Sequence, residues 1–344
     1  MAITERERKL VAAAFDKYER NIAAMTATTP PKAVPAPARM SLASVTKGRR
    51  REPRRILLYG VPKIGKTTFA AQAPNPIFIE SVREQGSGEQ ETQRFQPCES
   101  WEDIFDAIKA LENESHDRKT VVIDTLDAFE PLIWDFLCRE EGVKDKEKYG
   151  GGFNKWVDAE VREWNRMLQA LDRLRSKKGM EYILLAHSMI EVYNNPSGEN
   201  YDRFALKVHK KSAAFIIGSV DVCLFAQHET AYKKDGNRKY KGKSTGARVI
   251  QTEYNAAWVA GNRYSLPSKI PLSWADFDAA FDRPPRLFDD LKADVEVKID
   301  DVKDATIKAK ARETLAKAEA NNKDVYLMEK LDNRLSVVLS QQEE

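Results

Sequence analysis

Short apolar runs alternate with amphipathic segments through the middle of the chain. The runs have the length of strands, and most end in polar residues, as strands buried in a parallel sheet do. They lie at 56–59, 76–80, 119–125, 181–188 and 219–226. Apolar residues recur at helical spacing at 101–111, 126–139 and 157–176. This alternation predicts an α/β fold, with a mostly parallel sheet flanked by helices.

The N-terminal residues do not continue this pattern. Thr4 and Glu7 fit a helix capping box, and apolar residues follow at helical spacing. We therefore expect an N-terminal helix at 1–23. The next stretch is rich in Ala and Pro and ends in a basic run, which predicts a linker at 24–53.

The composition changes again towards the C-terminus. The α/β core is expected at 54–290, with a hairpin at 229–252 near its end. Residues 291–344 are rich in Ala, Lys and mixed charge and carry apolar residues at helical spacing. Because two consecutive asparagines at 321–322 interrupt that spacing, we expect two C-terminal helices.

Charge and cysteine content limit the class of protein. Over 344 residues, 56 Lys and Arg stand against 53 Asp and Glu, with a net charge of +3. A basic contact with nucleic acid would therefore have to be local. The three cysteines lack metal-ligand spacing, which favours reduced thiols. No apolar run approaches the ~20 residues that span a bilayer, and no signal-peptide pattern is present. We expect a cytoplasmic protein without a membrane partner.

The segment 60–68 joins the first predicted strand to a predicted helix. It fits G-x-x-x-x-G-K-[ST], a loop whose backbone N–H groups surround phosphate oxygens. In such a loop the lysine contacts the β- and γ-phosphates, and the threonine hydroxyl binds Mg²⁺. The sequence thus predicts a site for ATP and Mg²⁺. Its expected cofactor-binding residues are Gly60, Val61, Pro62, Lys63, Ile64, Gly65, Lys66, Thr67 and Thr68.

Polar residues that follow other predicted strands are candidates for catalysis with Lys66. Asp124 ends a β-branched run and, with Thr67, is the expected ligand of Mg²⁺. Glu80 and Glu84 are alternative candidates to orient the attacking water, and each could instead be a surface acid. His187 and Ser188 end a further run. Because strand ends face the ligand crevice of a parallel sheet, they are candidates to sense the γ-phosphate.

Two segments combine lysines or arginines with aromatic residues, the composition of single-stranded nucleic-acid sites. Three consecutive glycines make the first, 142–155, a predicted mobile loop. The second, 191–211, is predicted to begin as a loop and to lead into a helix. Both could equally be ordinary surface loops. The DNA-binding candidates are Lys148, Tyr149, Lys155, Tyr193, Tyr201, Arg203, Phe204, Lys207, Lys210 and Lys211.

The order of these elements resembles the RecA-like P-loop ATPase core. It is more closely similar to phage-encoded AAA-type ATPases that are grouped with RecA-like single-strand annealing proteins. The resemblance covers about residues 54–285. RecA carries Asn-Gln where this chain has His187-Ser188. The segments that carry the resemblance are 60–67, 78–80, 121–124, 185–188 and 262–267.

The resemblance implies a function and several partners. It implies a Mg²⁺-dependent ATPase, stimulated by DNA, that binds single-stranded DNA through 142–155 and 191–211 and promotes strand annealing or pairing. It also implies a homo-oligomer, ring or filament, in the bacterial host cytoplasm, with a single-strand-binding protein as a further partner. Arg263 is a candidate nucleotide contact, in its own chain or in a neighbour, or else a surface ion pair. A helicase loader or hexameric motor, and an assembly protein without DNA binding, are the alternatives.

Overall fold

The computed structural model describes residues 52–235, 239–281, 288–320 and 325–340, together with Val45, Lys47 and Gln342. The predicted N-terminal helix at 1–23 and nearly all of the predicted linker lie outside the described residues. Within the described residues, no helix is long and apolar enough to cross a membrane.

The described residues form one ten-stranded sheet in the order β10-β8-β7-β1-β5-β4-β2-β3, with β6 paired to β5 and β9 paired to β7. The six strands from β7 to β3 in this order are parallel, and β8 and β10 add antiparallel strands at one edge. The strands are β1 Arg55–Gly60, β2 Pro76–Glu80, β3 Gln93–Arg94, β4 Thr120–Asp124, β5 Glu181–Tyr193, β6 Tyr201–Leu206, β7 Val222–Asp235, β8 Lys239–Gln251, β9 Gly261–Asn262 and β10 Lys269–Pro271.

Helices connect and cover these strands. They are α1 Lys66–Ala71, α2 Trp101–Asn113, α3 Leu126–Glu141, α4 Lys155–Lys178, α5 Lys210–Ser219, α6 Trp274–Phe281, α7 Phe288–Asp301, α8 Ala305–Ala320 and α9 Val325–Ser340. Two 3-10 turns, Gly86–Glu89 and Lys146–Gly151, lie in the connections after β2 and α3. The predicted α/β fold, a mostly parallel sheet flanked by helices, is confirmed.

Side-chain alternation along the central strands divides the interior into two cores. In β1, Leu57 and Tyr59 belong to the core shared with α2 to α5, whereas Ile56 and Leu58 belong to the core shared with α1 and α6. Successive side chains of a strand point to opposite faces, so a parallel sheet covered on both sides needs an uninterrupted apolar run. The strands therefore read as continuous apolar segments.

The predicted loop at 191–211 is a β-hairpin for most of its length. β5 does not end at the polar pair His187-Ser188 but continues to Tyr193, and β6 returns antiparallel to it. The polar pair marks the point where β5 leaves the buried sheet, since 181–186 are buried and the residues beyond are not. We refer to residues 189–206 as the β5–β6 hairpin.

The described part of the C-terminal region contains three helices where two were predicted. Asp304 accepts hydrogen bonds from the backbone N–H groups of Thr306 (2.8 Å) and Ile307 (3.0 Å), so it caps a new helix inside the stretch that was assigned to one. The three helices enclose a separate core, whose largest members include Leu291, Ile299, Met328, Leu331 and Leu335.

Candidate active site

The sheet register brings the predicted polar residues together at the C-terminal ends of the parallel strands. Gly60, the last residue of β1, pairs with His187 of β5, and Glu80 of β2 pairs with Asp124 of β4. Because β1, β2, β4 and β5 are parallel, the residues at their C-terminal ends lie on the same side of the sheet. Sequence positions more than a hundred residues apart thus meet around the loop that follows β1.

The two glycines that the loop pattern requires, Gly60 and Gly65, are needed for different structural reasons. A Cβ at Gly60 would lie 2.3 Å from the carbonyl oxygen of Ala226 in β7, so only glycine permits the close strand approach. Gly65 has φ +110°, which disfavours any other residue. A Cβ there would also lie 2.9 Å from Nη1 of Arg248, which donates to the Ile64 carbonyl at 3.2 Å.

Lys66 is folded into the loop and is 5% exposed. Its ammonium donates to the carbonyl oxygens of Gly60 (3.3 Å) and Val61 (3.2 Å). Burial lowers the pKa of Lys66, and the charges of Asp124, Glu84 and Asp127 oppose that shift. The loop therefore holds a desolvated cation, which suits a strongly anionic ligand.

Thr67 and Asp124 form the expected oxygen pair. Thr67 Oγ1 donates to Asp124 Oδ2 at 2.8 Å, and Asp124 is 1% exposed. A Cβ at Gly86 would lie 3.0 Å from Thr67 Oγ1 and 3.3 Å from Asp124 Oδ2, so the loop after β2 closes over the pair. A hydroxyl and a carboxylate are the donors that Mg²⁺ takes from proteins. The two residues fit a Mg²⁺ site.

The electrostatics of Asp124 agree with that assignment. Burial raises the pKa of its carboxyl to about 7, the negative charges of Glu80 and Glu84 add to the effect, and the Thr67 hydrogen bond and Lys66 oppose it. A buried carboxyl surrounded by like charges gains stability when a cation neutralises it.

The two candidate acids have different surroundings, and Glu80 is the more buried of them. Glu80 is 1% exposed, and its carboxylate oxygens accept from the backbone N–H of Ser87 at 2.8 Å and from the Ser87 hydroxyl at 2.7 Å. Both oxygens are therefore engaged in holding the 3-10 turn after β2. The position of Glu80 favours a structural role.

Glu84 lies in the same connection but has access to solvent, with 32% of its side chain exposed. One carboxylate oxygen accepts from Thr125 Oγ1 at 2.8 Å, and the other lies 3.4 Å from His187 Nε2. A group that activates water must be able to reach it. Of the two acids that the sequence left as alternatives, the geometry favours Glu84.

His187 is held by a residue that the sequence reasoning missed, Asp127 in the first turn of α3. The backbone N–H of His187 donates to Asp127 Oδ1 (2.8 Å), and its ring Nδ1 bonds Asp127 Oδ2 (2.9 Å). Ligand atoms of Glu84, Asp127 and His187 all lie within 4.8 Å of one another. Because hydrogen bonds already join Asp127 to His187, the cluster forms a connected network. Ser188 follows at the start of the exposed part of β5 and pairs with Leu206.

Arg263 is not brought to the phosphate loop. It follows β9, which pairs with the first residues of β7, and its guanidinium contacts Asp221 at 3.1 Å. Asp221 also binds Arg55 at the start of β1. Arg55 and Asp221 lie at the N-terminal ends of β1 and β7, the ends opposite the loop. Arg263 therefore forms its ion pair there. The arginine next to the loop is Arg248 of β8.

The segment 142–155 is more strongly anchored than its glycines predicted. The ammonium of Lys146 lies 3.3 Å from the ring centroid of Trp134 and 4.3 Å from that of Trp156, within cation–π range. Tyr149 packs against the core and Lys155 donates to the Gly150 carbonyl at 2.8 Å. The exposed side chains of this segment include Lys148 and Phe153.

The β5–β6 hairpin groups several of the predicted aromatic and basic residues. Tyr193 and Tyr201 face each other across the strands with ring centroids 5.2 Å apart. Arg203 lies 4.2 Å over the Tyr193 ring and forms an ion pair with Glu191 at 2.7 Å. Phe204 instead packs inward and stacks on Phe225, so it is not available to a base. Tyr193, Tyr201 and Arg203 are the surface group.

The three lysines that follow the hairpin have different surroundings. Lys207 lies 3.7 Å from Asp127, Lys211 pairs with Asp158 at 2.8 Å, and Lys210 is exposed. The rings of His209 and Trp156 meet at 5.2 Å. The two segments that were predicted to bind DNA are therefore neighbours at the start of α4.

Three residues at the site were not found from the sequence: Thr125, Asp127 and Arg248. Thr125 follows Asp124 as the N-cap of α3, and Asp127 lies in the first turn of that helix, so the signal was a polar residue where the helix begins. Arg248 lies in a strand of a hairpin, and no local pattern connects it with a loop 184 residues earlier.

A glycine-bounded loop after the central strand, a buried lysine, and a threonine of α1 bonded to the aspartate that ends β4 define a P-loop nucleotide-binding site. The comparison with protein families agrees. The family model AAA_24, described as an AAA domain, matches residues 52–264, more than half of the chain. The chain belongs to this family, and AAA domains are nucleotide-binding ATPase modules.

The chain is also similar to a curated relative, the SPbeta prophage-derived uncharacterized protein YorG of Bacillus subtilis (strain 168). The two are 24% identical over 174 residues. The matched part is 49% of this chain and 49% of the relative, so the similarity spans about half the length of each.

Replacing the carboxylate by an amide at each position tests whether Glu84 or Glu80 activates the attacking water. Glu84→Gln should lower kcat for ATP hydrolysis by about 10²–10⁴-fold, the usual effect of removing a general base. Glu80→Gln should lower kcat far less, because its contacts to Ser87 support the turn. Phosphate release gives kcat, and binding of a fluorescent ATP analogue shows that the site persists. Equal losses from both exchanges would contradict the assignment.

Asp124 should make the nucleotide-free protein less stable as pH rises. Its pKa in the fold, about 7, lies above the ordinary 3.8, so the stability present at low pH is lost as pH rises towards 7 and above. Asp124→Asn should therefore raise the free energy of unfolding at pH 8 by about 1–4 kcal/mol without metal, and by little near pH 4. Urea unfolding at both pH values in EDTA measures this. A destabilised variant at pH 8 would contradict it.

Proposed function

We propose that this protein is a RecA-like, Mg²⁺-dependent ATPase that binds single-stranded DNA and promotes strand annealing or pairing in phage recombination or replication. The observation that carries the proposal is the continuity of β5. Its buried half ends at Ala186, next to His187 and the phosphate loop, and its more exposed half, which includes Tyr193, forms the hairpin with β6. A change at the nucleotide can thus reach the hairpin along one strand.

The roles at the nucleotide site follow from the contacts. Bound Mg²⁺ would supply charge neutralisation at the phosphates, held by Thr67 and Asp124. Lys66 would contact the β- and γ-phosphates, and Glu84 would accept a proton from the attacking water. His187 would face the γ-phosphate from the end of the buried part of β5. Each role fits a residue type at a position that the fold supports.

The surface group on the hairpin supports contact with single strands. Tyr193 and Tyr201 present aromatic rings on one face, and Arg203 lies against one of them. Aromatic stacking with nearby cations is how proteins hold unpaired bases without reading sequence. Lys210 and Lys148 lie exposed in the two neighbouring segments, where they would contact phosphates.

The family membership and the prophage-derived relative support the setting of the proposal. Proteins with this core commonly place the nucleotide between subunits, so we propose a homo-oligomer, ring or filament, in the host cytoplasm, with a single-strand-binding protein as a further partner. An exposed Arg263 would then meet a neighbouring subunit rather than its own nucleotide.

A second candidate is a nucleotide-dependent assembly protein whose hairpin contacts another protein. The observation that favours it is the apolar character of one hairpin face. Ile190 is 67% exposed and Val192 is 64% exposed, and strand alternation places both on the face opposite Tyr193. Exposed apolar neighbours of this kind are typical of protein contacts.

The test compares ATP hydrolysis with and without single-stranded DNA. We expect DNA to increase turnover, and Lys66→Ala to abolish turnover in both conditions, because Lys66 is the cation of the phosphate loop. DNA affinity should fall steeply with salt, since phosphate contacts release counterions. Turnover that DNA does not change, together with no salt-sensitive DNA binding, would reject the DNA hypothesis and favour the assembly protein.

Removing the tyrosine pair tests the surface. Tyr193→Ala with Tyr201→Ala should weaken single-strand binding by about 10- to 100-fold, from loss of the ~1–3 kcal/mol that stacking of one base contributes. Tyr264→Ala is the matched control, since Tyr264 is also partly exposed but packs against Phe281, away from the hairpin. Fluorescence anisotropy with labelled oligonucleotides gives the affinities. Equal effects of the pair and the control would contradict stacking on the hairpin.

A further inference from the structure

We propose that Asp127 is a positioning residue that connects the nucleotide site to the base of the β5–β6 hairpin. It would do so by holding His187 on one side and Lys207 on the other. The inference rests on the proposed nucleotide-dependent function, and it adds the residue through which the two parts of the protein would be coupled.

Both carboxylate oxygens of Asp127 are engaged by His187. Oδ1 accepts the backbone N–H at 2.8 Å and Oδ2 bonds ring Nδ1 at 2.9 Å. The first contact fixes the backbone of β5 at the point where the strand leaves the sheet. The second fixes the ring and directs Nε2 towards Glu84, whose Oε1 lies 3.4 Å away. A carboxylate on one ring nitrogen sets the orientation of the other.

The same carboxylate also faces the hairpin. Lys207, the residue after β6, places its ammonium 3.7 Å from Asp127 Oδ2, and its backbone N–H donates to the His187 carbonyl at 2.9 Å. The lysine side chain is 57% exposed, so it is the solvent-facing end of the chain of contacts. The base of the hairpin is thus tied to His187 through the backbone and to Asp127 through charge.

Asp127 itself is held firmly. Its side chain is 8% exposed and it lies in the first turn of α3, three residues after Asp124 and two after Thr125, the hydrogen-bond donor to Glu84. Burial alone would raise the pKa of the Asp127 carboxyl. Hydrogen bonds from His187 and the charge of Lys207 outweigh burial and hold this pKa below its usual range. The acceptor therefore stays charged near neutral pH.

This arrangement gives nucleotide binding a route to the hairpin. If His187 moves when a γ-phosphate is bound, its two contacts with Asp127 must shift, and Lys207 must adjust to the same carboxylate. A side chain that only supported the fold would not link these movements. Other charged residues of α3 serve as comparison, and Asp135 is suitable because its partner is the exposed Arg83 at 3.2 Å.

The test is hydrogen–deuterium exchange over residues 189–206 with and without Mg²⁺ and a non-hydrolysable ATP analogue, in the absence of DNA. In the wild-type protein the analogue should change hairpin exchange by about fivefold or more, the lower range of typical coupling between sites. Asp127→Asn should still bind the analogue and should reduce this change to less than about twofold. Asp135→Asn should respond like the wild type.

Lys207→Met provides a second variant that approaches the carboxylate from the hairpin side. It should lose the hairpin response as Asp127→Asn does, and the double variant should lose no more than either single variant, because residues in one network are not additive. The inference would be overturned by a wild-type hairpin that ignores the nucleotide, or by a full response in an Asp127→Asn or Lys207→Met protein that binds it. Since no DNA is used, these outcomes are independent of whether the protein binds single strands.

Discussion

Parallel pairing of β1 between β5 and β7 is the constraint on which the site depends. Gly60 pairs with His187 on one side and approaches Ala226 within a distance that excludes any larger residue on the other. This register fixes where the phosphate loop starts and which residue of β5 lies next to it. A shift of one residue would place a side chain larger than glycine against the Ala226 carbonyl, so this close approach determines the register.

Much of the fold and the phosphate loop could be predicted because their signals are local. Uninterrupted apolar runs identify strands that are covered on both faces, and the spacing from Gly60 to Thr67 is contained in one short segment. Asp124 could be predicted for the same reason, since it ends such a run. The contact between Thr67 and Asp124, at 2.8 Å, then follows because β1 and β4 are parallel and end on the same side of the sheet, with β5 between them.

The remaining parts of the site depend on contacts that no local pattern records. Glu80 and Glu84 have the same chemistry and lie four residues apart, and only the contacts to Ser87 and to Thr125 distinguish them. The β5–β6 hairpin was missed because the polar residues at the end of the buried part of β5 look like the end of a strand. Asp127 gained its role from a strand 60 residues away.

The charges around the loop explain why ligand binding and stability belong together in this protein. Burial lowers the pKa of Lys66 and raises that of Asp124, so each of these groups is held in surroundings that disfavour its charged form. Phosphates and a divalent cation would supply the missing opposite charges, and any ligand that binds only the folded state adds to its stability. The unfavourable charges that lower the stability of the empty site can therefore increase its affinity for the nucleotide. Asp127 differs, because His187 and Lys207 already compensate its charge in the empty site, so it remains a charged acceptor for both partners before a nucleotide binds.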